Sequence, residues 1–258
     1  MRVPIRVAAA GIVLSMSWLS VAWSQSAEDK GFRIAKTSAD QGKGYGDYAV
    51  SGKMALKNRA GTSAVRDFDF KSMESGRGDL SMLVFNLPGD IRDTALLTHE
   101  HRSATDEQWI FLPAERRVKR IAGSGRSGSF VGSEFAYEDM VDQDVDKFTY
   151  RWLADDVCCH IVERVSKEAS GYARQKVWFN KTSFTVAKME YYNSAGTLFK
   201  TMVAVGYQKY LGKFWRASTI TMTNHLTGKE TVLSWSGHRF SVGLSATEFT
   251  TRALERVR

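Results

Sequence analysis

The sequence has few cysteines and prolines, and it lacks the short motifs that identify most enzymes. Its two cysteines, Cys158 and Cys159, are neighbours in the chain, and it has three prolines. Adjacent cysteines match no metal-binding spacing. No nucleophile elbow, phosphate loop or dinucleotide fingerprint is present. These absences favour a protein with no catalytic residue, no cofactor and no metal, and the scarcity of proline favours long, continuous strands.

Long apolar runs are also missing, apart from a short one at the N-terminus. Residues 1–24 combine a positive start (Arg2, Arg6), an apolar core, and the small residues Ala22 and Ser24 at the spacing of a cleavage site. This pattern predicts a secretory signal peptide, and an uncleaved N-terminal anchor is the alternative. No later run approaches the ~18 apolar residues that a membrane-spanning helix needs. We therefore expect an exported protein.

The charge balance is mildly basic rather than strongly so. The chain has 36 Lys and Arg against 28 Asp and Glu, a net charge of +8, and it stays positive without the basic residues of the signal peptide. Such an excess suits acidic membrane surfaces or acidic partners. The basic residues are spread out and accompany no nucleic-acid-binding motif, so no nucleic-acid partner is expected.

From residue 47 onward, apolar segments alternate with turn signals about every 8–15 residues, a rhythm typical of an antiparallel all-β meander. The predicted strands are 48–56, 62–73, 80–87, 93–101, 109–112, 116–120, 147–153, 157–166, 172–179, 186–192, 198–210, 214–224 and 230–240. No repeat or linker divides them, so residues 47–258 are predicted as one β domain. Residues 25–46 precede it, with a short helix at 27–39 and a glycine-rich connection.

A sheet of this length must close or be covered, because exposed strand edges promote aggregation. The sequence offers few helical segments for this purpose. We therefore predict a mainly β fold, in which an antiparallel sheet curves around its own apolar face and holds a small helical plug. A large curved sheet can leave a cavity. The fourteen phenylalanines and seven tryptophans would line that cavity or fill a core, and for each single aromatic the core is the simpler interpretation.

The most informative stretch is QWIFLPAERRVKRIAGSGRSGSFVGSEFAYEDM, residues 108–140. Its opening apolar block ends at Pro113, which cannot donate to a sheet ladder. A basic strand follows, with Arg117 and Lys119 on one face, and then a Gly/Ser run interrupted by Phe130. This layout predicts a movable edge in which a cationic rim lies beside an apolar block, as would suit an anionic amphiphile. An edge strand protected by solvated basic residues is the alternative.

Histidines and cysteines offer a weaker metal hypothesis. His99 and His101 share one face of a predicted strand, a spacing that can bind metal, and His160 could supply a third ligand. A solvated strand edge is the simpler interpretation of the first two. Cys158 and Cys159 are interpreted as two small half-buried residues, and a disulfide between them, which needs a distorted peptide, is the alternative.

The central stretch resembles the LolA-like outer-membrane lipoprotein-sorting protein family, in the branch often found beside RND-type exporters. Further segments are similar to that family: PGDIRDTALL at 88–97, KMEYYNSAG at 188–196, residues 171–178, Thr227-Gly228-Lys229, and the ending Phe249-Thr250-Thr251-Arg252-x-Leu254. The likeness covers roughly residues 45–254. Asp93 stands where the family usually has glycine, and the N-terminal region departs most.

The resemblance implies a soluble periplasmic protein with an unclosed, strongly curved β-barrel, a helical lid and an apolar cavity for acyl chains. It would act as a non-enzymatic, monomeric carrier of a lipid or lipoprotein towards the outer membrane. An inner-membrane RND-type exporter is the expected partner, together with transient contact with a membrane surface. The predicted ligand-binding residues are the cavity candidates Trp109, Phe111, Phe130, Phe135 and Tyr137 and the rim candidates Arg117 and Lys119.

Two other classes of function remain open from the sequence. The same fold could serve a binding or sensor module that recognises a protein partner and moves no lipid. A hydrolase or metal enzyme would depend on His99, His101 and His160. Metal analysis and the identity of any co-purified ligand separate these possibilities.

Overall fold

One antiparallel sheet of thirteen strands dominates the computed structural model, which describes residues 26–61, 63–102, 104–141 and 144–257. The fifteen strands are β1 (Asp47–Lys57), β2 (Ser63–Met73), β3 (Leu80–Leu87), β4 (Ala95–His99), β5 (Glu107–Leu112), β6 (Arg117–Ile121), β7 (Phe148–Asp155), β8 (Cys159–Ser166), β9 (Arg174–Asn180), β10 (Val186–Tyr192), β11 (Leu198–Val205), β12 (Gln208–Tyr210), β13 (Phe214–Arg216), β14 (Thr219–Asn224) and β15 (Lys229–Phe240).

The order of strands in the sheet shows that the barrel is not closed. The order is β6-β5-β4-β3-β2-β1-β15-β14-β11-β10-β9-β8-β7, and the two outermost strands, β6 and β7, do not pair with each other. Every neighbouring pair in this sheet is antiparallel. The mainly β, unclosed fold expected from the sequence is confirmed.

Two predicted strands are each broken in two. The segment 198–210 divides into β11 and β12, and the segment 214–224 divides into β13 and β14. The break after β11 falls at Gly206, whose φ of 67° no regular strand adopts. As a result, β12 and β13 leave the main sheet and pair only with each other, as a separate hairpin.

Asp93 illustrates how one turn residue replaces glycine. It has a φ of 63°, in the left-handed region, which glycine enters freely and which aspartate tolerates better than most other residues. Its backbone N–H donates to the carbonyl oxygen of Phe85 over 2.8 Å. Aspartate, in place of the glycine usual in the family, therefore still adopts the positive φ of this turn.

Both faces of the sheet carry apolar side chains. The concave face holds the larger core, which includes Met54, Phe68, Phe85, Val162, Val177 and Met222. On the convex face, a second core forms where Met82, Ala95 and Leu97 meet Phe249 and Leu254 from the C-terminal segment, whose helix α2 spans Thr251–Leu254. The C-terminal segment thus covers the convex face of the sheet at β3 and β4.

The helix expected near the N-terminus is present as α1, Ala27–Gln41. It begins after Ser26, whose side chain accepts a hydrogen bond from the N–H of Asp29 over 3.0 Å. It packs against β7 so closely that a Cβ added to Gly31 would lie 2.7 Å from the backbone nitrogen of Trp152. Glycine at position 31 therefore permits this close approach.

A long connection, the crossover segment (residues 122–147), joins the edge strands β6 and β7 across the concave face. Its described residues, 122–141 and 144–147, form four short 3₁₀ turns, and its middle forms a small hairpin, residues 128–137, here called the plug hairpin. Phe130 N–H donates to Phe135 O over 2.8 Å, and Tyr137 N–H donates to Gly128 O over 3.1 Å. The plug expected from the sequence was helical, whereas this connection consists of 3₁₀ turns and a hairpin.

No helix among the described residues is long and apolar enough to cross a membrane. The predicted signal peptide, residues 1–24, lies outside the described residues.

Candidate functional site

A cavity of about 450 Å³ lies between the concave face of the sheet and the crossover segment. Its volume falls within the range of ~300–1,000 Å³ typical of small-molecule sites. Strands β2, β10, β11, β14 and β15 form one wall, and the crossover segment forms the other. The apolar part of the lining consists of Phe70, Phe135, Met140, Val141, Val186, Met189, Met202, Ile220, Leu233 and Trp235.

Strand alternation and register bring these side chains together. Residues directly opposite each other in an antiparallel pair project from the same face. Met189 of β10 lies opposite Met202 of β11, and Ile220 of β14 lies opposite Leu233 of β15. The wall therefore continues from strand to strand as one apolar surface.

Methionine gives part of this wall an adaptable shape. The hydroxyl of Tyr191 lies 3.7 Å from Sδ of Met189 and 3.9 Å from Sδ of Met202. Thioether sulfurs are weak acceptors on flexible, unbranched side chains. Burial raises the pKa of Tyr191 well above its ordinary value, so the ring stays neutral. Such a wall can repack around ligands of different shape.

Three carboxyl groups belong to the lining, Asp79, Glu100 and Asp139, and Asp139 lies on the crossover segment. Its Oδ2 accepts hydrogen bonds from the hydroxyl of Tyr172 and the backbone N–H of Ala136, each over 2.7 Å. Burial raises the pKa of Asp139 to about 6, against the opposing effect of these two bonds. The group ties the crossover segment to Tyr172, in the connection between β8 and β9, and changes charge in mildly acidic solution.

The plug hairpin closes the cavity at one end of the sheet. Glu134 is its main anchor: its N–H donates to Oγ1 of Thr231 over 2.9 Å, its carbonyl accepts from Nζ of Lys200 over 2.7 Å, and its carboxylate accepts from Nδ2 of Asn224 over 2.7 Å. On the other half of the sheet, Gln108 donates to the carbonyl of Tyr137 over 2.9 Å. The hairpin thus spans both halves.

The mouth of the cavity lies at the opposite end, where β1 begins and β15 ends. Tyr45, Tyr48 and Arg216 border it. The Arg216 guanidinium lies 5.5 Å from the ring centre of each tyrosine, within the range of cation–π attraction. The hydroxyl of Tyr45 donates to Asp79 over 2.9 Å. An apolar interior therefore opens through a polar rim that carries a cation.

Of the seven residues predicted to bind ligand, Phe135 lines this cavity. Phe130 and Tyr137 belong to the same hairpin, with ring centres 5.6 Å apart. Phe130 is fully buried and its ring also stacks on Phe85, at 5.8 Å. Phe130 and Tyr137 do not line the cavity themselves but belong to the hairpin that closes it.

Trp109 and Phe111 lie on the convex face, not in the concave interior where we expected them. They pack in the second core, against the C-terminal segment. Their neighbour Ile110 points into the concave core instead. Successive residues of a strand face opposite sides, and both phases of β5 are apolar, so the sequence pattern does not say which phase is concave.

The Gly/Ser run is also placed differently from the movable flap that the sequence suggested. Gly123–Ser127 and Phe130–Gly132 form 3₁₀ turns. Gly132, at a φ of 74°, provides a backbone conformation that most residues avoid. Tight turning of the chain, rather than a long flexible linker, accounts for the glycines here.

Arg117 and Lys119 share one face of the edge strand β6, as predicted. Their register partners are Leu112 and Ile110 of β5, so this is the concave face. Lys119 pairs with Glu115 over 2.6 Å. Neither residue borders the cavity described above, and a head-group role for them stays a prediction.

Sequence reasoning missed most of the lining, notably Trp235, Met189, Met202 and the rim residue Arg216. A signal for the first three was present, because each lies in a segment predicted as a strand with apolar residues at alternate positions. Trp235 follows Leu233 on the same face, and its ring lies 5.1 Å from that of Phe68. The location of Arg216 depends on the separate hairpin, which the sequence did not reveal.

The three candidate metal-binding histidines have separate environments. Nε2 of His99 lies 2.7 Å from the carbonyl oxygen of Phe249, and Nε2 of His101 lies 3.3 Å from Glu107. Nδ1 of His160, on β8, lies 2.7 Å from Asp155. Within the described part of the chain, these histidines form no group of three potential ligands.

Cys158 and Cys159 form a disulfide, the alternative interpretation of the sequence. Cys158 ends the turn between β7 and β8 and Cys159 begins β8, and Asp156 Oδ1 accepts hydrogen bonds from both of their N–H groups, at 2.9 and 2.7 Å. A turn held in this way brings the neighbouring thiols together. The potential metal ligands Asp156, Cys158 and Cys159 lie close together here, but the two sulfurs are bonded to each other.

Comparison with known proteins identifies relatives that share this architecture. A family model described as "-like: Uncharacterized protein" matches residues 77–256. An outer membrane lipoprotein-sorting protein domain from Vibrio parahaemolyticus is 39% identical over 89% of this chain and 100% of its own, with a TM-score of 0.86. A DUF1329 family protein from Desulfovibrio piger is 29% identical over 89% and 99%, with a TM-score of 0.82. No curated protein matches the chain.

A LolA superfamily protein from Nitrosomonas europaea has the same fold, with a TM-score of 0.70 at 18% identity over 86% of this chain and 97% of its own. The unclosed thirteen-stranded sheet, the crossover plug and these similarities agree with the motifs found in the sequence. The chain belongs to the LolA-like outer-membrane lipoprotein-sorting protein family.

Proposed function

We propose that the protein is a periplasmic carrier that holds the acyl chains of a lipid or lipoprotein in the concave cavity and delivers them towards the outer membrane. The observation that supports this most directly is the apolar cavity itself, closed by the plug hairpin and open at a polar rim with Arg216. Tails would lie against the methionine-rich wall, and an anionic head group would meet the guanidinium at the mouth.

The energetics explain why such a cavity is useful. An acyl chain of ~15 methylenes exposed to water costs roughly 12 kcal/mol at ~0.8 kcal/mol per methylene. A cavity that shields the chain removes most of this cost and needs neither a cofactor nor a catalytic group. An inner-membrane RND-type exporter as partner and a periplasmic location follow from the family resemblance of the central stretch, and both belong to this proposal.

Neighbouring residues on β11 provide a matched test of lipid uptake. Met202 lines the cavity, whereas Val203, next in the chain, is 39% exposed on the opposite face. Met202→Asp places a charge in the apolar wall and should weaken uptake of a fluorescent fatty acid at least about tenfold, since each lost ~1.4 kcal/mol is tenfold. Val203→Asp should leave uptake unchanged. Met202→Trp, which fills the cavity without adding charge, should also reduce uptake.

Circular dichroism of each variant shows that the fold is kept, and mass spectrometry of an organic extract of the purified wild-type protein identifies bound lipid. Equal uptake by the Met202→Asp and Val203→Asp proteins would show that ligands do not use this cavity. Absence of both bound lipid and uptake in the wild-type protein, together with a stable soluble complex with a periplasmic protein, would instead support a binding or sensor module.

A further inference from the structure

We propose that the β12–β13 hairpin (residues 207–216) docks the protein on a bilayer that contains anionic phospholipid, so that the mouth of the cavity faces the membrane. The choice of bilayer as the acceptor surface deepens the carrier function proposed above. The docking step itself is independent of cargo and can be measured without it.

The tip of the hairpin carries a leucine that the fold does not require. Leu211 is 68% exposed. Its φ is 50°, and that of Gly212 is 68°. Turns with two such residues favour asparagine or glycine, because a Cβ in the left-handed region is strained. Neither burial nor backbone geometry therefore favours leucine at this position. We infer that its side chain contacts another molecule.

Basic residues surround this apolar tip. Lys209 and Lys213 flank the turn and are exposed, and residues 206–217 contain no acidic residue. The nearby acids Asp47 and Glu74 accept hydrogen bonds from backbone N–H groups of residues 242–243 and 44–46. The hairpin itself therefore carries a net positive charge, from Lys209, Lys213 and Arg216, and anionic lipid head groups attract such segments at close range.

Aromatic contacts hold the residue pair that adjoins the turn, Tyr210 opposite Phe214. Phe214 is buried and stacks on Phe240 with ring centres 5.8 Å apart. Tyr210 lies 5.6 Å from Phe240 and 4.6 Å from the ring of His238. Because the residues on either side of the turn are fixed in this way, Leu211 has a defined and exposed position.

The position of the hairpin connects docking to the cavity. Arg216, at the end of β13, borders the cavity mouth together with Tyr45 and Tyr48. Penetration of Leu211 into the head-group region would place this mouth against the bilayer. An acyl chain could then pass between membrane and cavity with little exposure to water, which addresses the cost that a carrier exists to avoid.

A bilayer fits this surface better than a protein partner does. A stable protein interface usually buries at least about 1,000 Å², whereas this turn offers one large exposed apolar side chain. A small apolar tip with flanking lysines, and with Tyr210 and Trp215 behind it, matches the layering of a membrane interface. Basic side chains meet the head groups there while the apolar tip enters below them.

Leu226 provides a matched control at the other end of the sheet. It lies in the turn between β14 and β15 and is 61% exposed. We would measure sedimentation of the mature protein with phosphatidylcholine vesicles, with and without phosphatidylglycerol. The wild-type protein should bind the anionic vesicles, and added salt should weaken that binding.

Leu211→Asn should reduce binding about tenfold, and Lys209→Gln with Lys213→Gln should reduce it at least as much and flatten the salt dependence. Leu226→Asn should bind like the wild-type protein. The proposal would be overturned if Leu211→Asn and Leu226→Asn bound equally well. It would also be overturned if binding were the same with and without phosphatidylglycerol. Uptake of a fluorescent fatty acid from solution should survive Leu211→Asn, so a failure of docking can be told from a failure of the carrier function.

Discussion

The carboxyl group of Asp139 is the clearest example of a single residue that links the cavity to solution conditions. Its pKa is raised to about 6, from 3.8, chiefly by burial. The folded state therefore holds the proton more tightly than the unfolded state does. This contribution to the free energy of unfolding is complete below about pH 4 and is lost as the pH rises through about 6.

Asp139→Asn should remove this dependence. We expect the variant to match the wild-type protein at pH 4 and to be more stable at pH 7.5, by up to about 3 kcal/mol at 1.36 kcal/mol per unit of pKa. Urea unfolding at several pH values measures the difference. Tyr172→Phe removes a hydrogen bond that lowers the pKa, so its pH profile should shift upward. A constant difference between Asp139→Asn and wild type at all pH values would contradict this account.

Single residues also show what the sequence can and cannot predict. Pro113 was expected to end a strand, and β5 ends at Leu112, because the missing N–H acts locally. The positions of Trp109 and Phe111 could not be derived in the same way. Alternation separates the two faces of β5, but both faces bury apolar residues, and only the path of the distant C-terminal segment distinguishes them.

The crossover segment is the element whose role differs most from expectation. Its composition, rich in glycine and serine, is typical of a flexible insert. In the structure it contributes Phe130 and Phe135 to the concave core and makes hydrogen bonds to both halves of the sheet. These are contacts between parts of the chain far apart in sequence, so local composition could not reveal them.

Phe130→Ala tests whether the plug hairpin is an integral part of the fold. The side chain is fully buried against Phe85 and Tyr137. Its removal should lower the free energy of unfolding by about 3–5 kcal/mol, as expected for a large-to-small change in a core. Val157→Ala, at a fully exposed turn position, is the control and should change stability by less than about 0.5 kcal/mol. Chemical denaturation measures both.

A loss of less than about 1 kcal/mol in Phe130→Ala would mean that the hairpin detaches at little cost. The segment would then behave as the movable flap suggested by its composition. In that case, the closed end of the cavity would be a second route for cargo.

The sheet has two structurally distinct ends and an apolar core on each face. The plug hairpin is anchored where β15 begins and β14 ends, and the cavity mouth lies where β1 begins and β15 ends. The strand order follows from a simple meander, apart from the separate β12–β13 hairpin between β11 and β14 and the pairing of β1 with β15. That pairing joins residues far apart in the chain, which the pattern of strands and turns does not predict.

The convex face depends on the C-terminal segment, which carries the family-like ending from Phe249 to Leu254. This segment covers Met82, Ala95 and Leu97, and the half-buried Trp109 packs beside them. Without such a cover, the convex face of β3 to β5 would be an exposed apolar patch, and patches of that kind promote association.

Leu254→Asp should therefore affect the whole molecule, although the residue lies four positions from the C-terminus. Leu254 is fully buried, and an unpaired carboxylate there should cost about 3 kcal/mol or more. We expect a lower urea midpoint and increased light scattering on warming, as the convex face becomes exposed. Arg256→Asp, an exposed position two residues further on, should show neither effect. A soluble Leu254→Asp protein of wild-type stability would mean that the second core is dispensable and that the curved sheet is held by its concave face alone.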